Sequence, residues 1–203
     1  MQGWVLGTWL LDKLALLMNQ DIMAYSYDHM RWLNNLTQET VCLWRRVGNE
    51  RICVLQFESP HELRMVAEPG KPVPLYCGGA GKILLAYLKP QELDEYFKNV
   101  QLKPVGPRTI VDENQLRREL SRINVKGVAV GIKERTSGGV GIAAPIYTAD
   151  GQVEYCLSLY LPVLRFSNKV KQQLIPLLKK SASDISTDLG FRGSDVIVSR
   201  VSK

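Results

Sequence analysis

"TVCLWRRVGNERICVLQFES", residues 40–59, decides the fold class. Two runs rich in β-branched and aromatic residues flank Gly-Asn-Glu, and a connection that short can join only antiparallel neighbours. A second stretch of the same kind, "VGIAAPIYTADGQVEYCLSLYL" at 140–161, is divided by the turn residues Thr148, Ala149, Asp150 and Gly151. Strands paired in hairpins with helices grouped around them predict an α+β domain built on an antiparallel sheet.

Working outward, "VAVGIKE" reads as a further strand, and the glycine loop "RTSGG" joins it to the second hairpin. "SPHELRMVAEPGKPVPL" is interrupted by Pro60, Pro69, Pro72 and Pro74, which confines it to loops and an edge strand. Helices are predicted from Asp21, as N-cap, to about Leu36, over Gly78–Leu88, and after Pro90. Another lies between Asp112 as N-cap and Gly127 just past its end, with Leu116, Leu120 and Ile123 inward. The longest runs from Ser167 to Leu189, stops at Gly190, and is expected to bend at Pro176. Ahead of these, Leu6, Leu10, Leu14, Leu17 and Met18 repeat at helical spacing, and this apolar stripe is expected to pack against a second copy.

The composition excludes several function classes. With 45% hydrophobic and 23% charged residues, the 203-residue chain is neither disordered nor membrane-embedded. Its net charge of +6 comes from basic residues scattered over helix and strand surfaces, which reads as a solvated exterior. Cys42, Cys53, Cys77 and Cys156 share no metal-ligand spacing and sit in apolar runs, as buried thiols do. With only His29 and His61 available, no histidine-based metal centre is expected, and no cofactor is implied. The apolar start lacks a basic leader and a cleavage site, and Asp12 and Lys13 interrupt it. It fits neither a signal peptide nor a membrane span, so the chain is expected in the cytoplasm.

One motif invites a chemical reading. "YCGGAGKILLAYL" at 76–88 puts glycines and a lysine at a helix start. A nucleotide-binding loop would need glycine where Tyr76 stands and Ser or Thr where Ile83 stands, so that reading fails. Two readings survive: a tight turn into a packed helix, or a cradle of backbone N–H groups for a small anion such as a carboxylate. Lys82 is expected to point away along the helix. Ser158, in an apolar strand, reads by itself as a core residue bonded to the backbone. No nucleophile elbow or metal-ligand pair suggests an enzyme, and Cys77 reads as a structural thiol. An enzyme on the same scaffold and a purely structural dimerisation module remain the alternatives.

The order of these signals resembles a known family. "TQETVCLWRR", "PLYCGGAGKILLAYL", "PRTIVDENQLRRELSRINVKGVAV", "GIAAPIYTADGQVEYCLSLYLP" and "SASDISTDLG" are similar to segments of the effector-binding domain of IclR-type bacterial transcription regulators. The resemblance runs from about Asn19 to Gly190. It implies a GAF-like or profilin-like antiparallel sheet flanked by helices and preceded by a linker helix. Residues 1–18 would be the end of a wing and the linker helix, 19–193 the effector-binding domain, and 194–203 a polar tail. The winged helix-turn-helix that contacts operator DNA in such regulators would be missing from this chain. The implied partners are a small organic acid effector, further copies of the chain in a dimer or tetramer, and operator DNA through that missing domain.

The resemblance also implies a site. Gly79, Ala80 and Gly81 match the segment whose backbone N–H groups hold the effector's carboxylate, and Ser158 matches a hydroxyl lining the same pocket. Gly131 and Ile132 stand where acidic residues are common, Gly141 stands for a cysteine, and Tyr160 for a small residue. These departures remove a carboxylate and add an aromatic wall. Gly139, at the end of the glycine loop, completes the expected lining, and that loop is expected to act as a lid.

Overall fold

The computed structural model describes residues 20–193, so the stripe of Leu6 to Met18 and the polar tail lie outside the described residues. The helices are α1 (Gln20–Thr37), α2 (Gly78–Ala86), α3 (Pro90–Asn99), α4 (Glu113–Lys126) and α5 (Asn168–Asp188). The strands are β1 (Thr40–Val47), β2 (Glu50–Phe57), β3 (Val73–Pro74), β4 (Ala129–Ile132), β5 (Gly139–Ile146) and β6 (Tyr155–Pro162). They form one sheet in the order β3-β2-β1-β6-β5-β4, every pairing antiparallel. Both hairpins read from the sequence are present. β1 and β2 join through Gly48 and Asn49, and β5 and β6 through the loop in which Thr148 N–H donates to Gln152 O at 3.0 Å.

Side-chain alternation divides the sheet into two faces. Val41, Leu43, Leu157, Leu159 and Ile142 belong to the core shared with α1 and α5. Cys42, Trp44, Cys156 and Ala143 belong to the core shared with α2 and α4. A bulge in the β1–β2 ladder takes up one residue, Val54, between Leu43↔Leu55 and Trp44↔Cys53.

The helix ends follow the chemistry at their caps. Asp112 accepts the Gln115 N–H at 2.7 Å, and Gly127 ends α4 at φ 62°, a conformation that favours glycine. Ser167 accepts the Val170 N–H at 3.2 Å at the start of α5. Two boundaries differ from the sequence reading. The described α1 already includes Gln20, so Asp21 stands within the helix, and α2 ends at Ala86, two residues before Leu88. The proline-rich stretch contributes only the two-residue edge strand β3, because the closely spaced Pro69, Pro72 and Pro74 remove N–H donors that a longer strand needs.

Candidate functional site

The site is built where α2 meets the sheet. Leu75, Tyr76 and Cys77 are buried, Gly78 turns the chain at φ 78°, and the helix lies over β4 and β5. The approach is close because three backbones carry glycine where they meet. A Cβ on Gly79 would stand 2.5 Å from Gly141 O and 3.2 Å from Ala129 O. A Cβ on Gly131 would stand 2.7 Å from both Gly78 Cα and Gly79 N. The Gly78 N–H donates to Glu134 Oε2 at 2.8 Å. The N–H groups of Gly79 and Ala80 follow in the first turn, where a helix offers no acceptor of its own.

Beside this helix start is a cavity of about 40 Å³. At roughly 10–15 Å³ per enclosed water, that is room for about three waters or one short acid. One wall is Trp44, whose Nε1 donates to Ser158 Oγ at 2.9 Å. The Arg51 guanidinium lies 4.9 Å from the Trp44 ring centroid, and its Nη1 donates to Pro74 O. Arg51 is only 2% exposed, and its Nε has no acceptor. Burial pulls the Arg51 pKa down, the direction expected of a cation removed from water. A second wall is Tyr160, whose hydroxyl accepts from Arg135 Nη2 at 3.1 Å and lies 3.2 Å from Thr136 Oγ1. Neither Arg51 nor Arg135 forms an ion pair among the described residues.

Lys82 points away from the cavity. It is buried, with Nζ 2.7 Å from Glu134 Oε1 and 3.1 Å from Val130 O. Its charge is therefore committed to the fold. Glu134 in turn is shared between Lys82 and the Gly78 N–H.

Of the residues singled out from the sequence, Gly79, Ala80, Gly131, Gly139, Gly141, Ser158 and Tyr160 line this one cavity. Gly81 sits behind the lining: a Cβ there would meet Leu75 O, and Arg51 Nη1 at 2.5 Å. Ile132 packs with the core on the other face of the sheet. Sequence reasoning missed Trp44 and Arg51 and took Arg135 and Thr136 only as part of the lid loop; all four line the cavity. A signal for Arg51 was available. It shares the parity of Cys53 along β2, so it belongs on the inner face whatever its charge.

All four cysteines are buried and free. Burial pushes the Cys77 thiol up, which disfavours the thiolate. No group of three or more His, Cys, Asp or Glu side chains that could hold a metal occurs among the described residues. Nor is any helix among them long and apolar enough to cross a membrane.

The family described as "Bacterial transcriptional regulator IclR C-terminal" matches residues 14–187. The HTH-type transcriptional regulator KdgR of Escherichia coli K12 is 30% identical over 175 residues, covering 86% of this chain and 66% of KdgR. The chain thus spans just under two thirds of that relative. The crystal structure of the Thermotoga maritima IclR superposes with a TM-score of 0.83 at 31% identity, covering 92% of this chain and 76% of that one. An IclR homolog from Microbacterium hydrocarbonoxydans, solved in complex with 4-hydroxybenzoate, superposes with a TM-score of 0.77 at 25% identity. That match covers 91% of this chain and 75% of the other.

Proposed function

Because the chain belongs to the IclR family of bacterial transcriptional regulators, we propose that it is the effector-sensing part of a DNA-binding regulator, in which a small organic acid held at the start of α2 modulates operator binding. The observation that carries this reading is the lining of the cavity. It combines a helix N-terminus, Arg51 and Arg135 with no acidic side chain. The helix terminus contributes about 0.3–1 kcal/mol toward an anion, and donors to a charged oxygen are stronger than neutral ones. Gly79 and Ala80 supply the backbone donors, Ser158 and Tyr160 the hydroxyls, and Gly131, Gly139 and Gly141 the space. Gly81, which matches the family segment, supports the lining from behind, whereas Ile132, a departure from the family pattern, faces the other core.

The neighbour that holds 4-hydroxybenzoate supports an organic acid as the ligand class. A cavity of about 40 Å³ favours a short acid here. Binding without turnover is the natural outcome. Cys77 is held as a thiol, Ser158 Oγ is engaged by Trp44, and His29 is paired with Asp188 on the other side of the sheet. The regulator would work in the cytoplasm, as a homo-oligomer, and reach operator DNA through a winged helix-turn-helix domain.

A thermal-shift screen with short organic acids, followed by NMR of the mixtures, tests the reading. Stabilisation of the chain with the acid recovered intact is the expected result. Conversion of the acid would make the protein an enzyme, and no response to any acid would leave a structural dimerisation module.

A further inference from the structure

Two cations reach the cavity from different walls, and no carboxylate among the described residues pairs with either. Arg51 belongs to the Trp44 wall, is 2% exposed, and has an Nε without an acceptor. Arg135 belongs to the Tyr160 wall, its guanidinium carbon 5.0 Å from the ring centroid. The carboxylate best placed to compensate them, Glu134, is already taken by Lys82 at 2.7 Å and by the Gly78 N–H at 2.8 Å. A buried cation with no counter-charge destabilises the empty site, and an anion that completes its hydrogen bonds recovers that loss. A monocarboxylate balances only one of the two.

Resting on the effector-site reading above, we propose that the ligand is a short dianionic acid. Its first carboxylate lies between Arg51 and the first turn of α2, and its second charge pairs with Arg135. A cavity of about 40 Å³ suits the shortest dicarboxylates. Arg51 is shielded from water and dominates the affinity. Arg135 is half-buried, so part of its attraction is screened, and it acts mainly as the selector for the second charge.

Calorimetry on the 203-residue chain tests this with oxalate, malonate and succinate. Each is paired with its half-amide, which keeps the size and loses one charge. The expected result is that at least one diacid binds about tenfold or more tighter than its half-amide, a difference of about 1.4 kcal/mol. Arg135→Gln, on a partly exposed side chain, should bring that ratio to within about threefold. Half-amides that bind as tightly as the diacids overturn the dianion while leaving the small-acid site standing. So does an Arg135→Gln variant whose ratio is unchanged. If neither the diacids nor the half-amides nor acetate and glycolate bind, the effector-site reading falls as well.

Discussion

A Cβ on Gly141 would lie 3.6 Å from Gly79 N, an ordinary contact, whereas a Cβ on Gly79 would lie 2.5 Å from Gly141 O. Two neighbouring glycines therefore give opposite predictions. Gly79→Ala forces α2 away from β5 and should cost about 1–3 kcal/mol in urea denaturation, along with ligand binding. Gly141→Ala should stay within about 0.5 kcal/mol of the parent. Its methyl group would nevertheless occupy the space over the Gly79 N–H, so calorimetry should show binding lost from a stable domain. Tight binding by Gly141→Ala would show that this N–H does not hold the acid. Lys82 makes the third residue-scale prediction. The glycine-lysine motif suggests a side chain directed away along the helix, and the structure adds that it neutralises buried Glu134. Lys82→Ala should therefore cost about 3–5 kcal/mol of stability, as removal of one partner from a buried pair does. A loss below about 1 kcal/mol would mean that the pair contributes little to the fold.

Among the elements, the segment from Arg135 to Gly139 is the one that both touches the cavity and faces solvent. Arg135 and Thr136 line the cavity and meet the Tyr160 hydroxyl, while Ser137 and Gly138 are exposed. It has the placement of a lid, closed by two side-chain contacts that a ligand can reinforce or replace. Saturating ligand should slow hydrogen exchange from Arg135 to Val140, and unchanged exchange would rule out the lid. By contrast α4 is fixed by its own termini. Removing the Asp112 cap with Asp112→Ala should lower stability by about 1 kcal/mol in thermal unfolding, without a change in ligand affinity.

For the molecule as a whole, the sheet separates two cores, and the cavity proposed as the effector site lies on the side shared with α2 and α4. The other core, with α1 and α5, is free of the site. The apolar spacing of Leu6, Leu10, Leu14 and Leu17 is a property of the sequence, and we expect it to drive self-association. Light scattering at micromolar concentration should report a dimer or tetramer for the chain and a smaller species for Leu10→Glu; a monomeric parent would dismiss this. The hairpins, the caps at Asp112 and Ser167 and the stops at Gly127 and Gly190 were all legible in the sequence, because turn and cap chemistry acts within a few residues. So was the cluster Gly79-Ala80 with Gly131, Gly141 and Ser158, through its resemblance to a family. The cations of the site were less legible. Parity with Cys53 puts Arg51 on the inner face of β2 but does not say what it meets there, and Arg135 looks like any loop arginine until β2, β6 and the start of α2 are brought together. Nor could the sequence separate Lys82, bound to Glu134, from a lysine free to meet a ligand. Spacing along the chain determines which groups share a face. Which charge finds a partner and which is left for a ligand depends on contacts between distant segments, and these exist only in the tertiary structure.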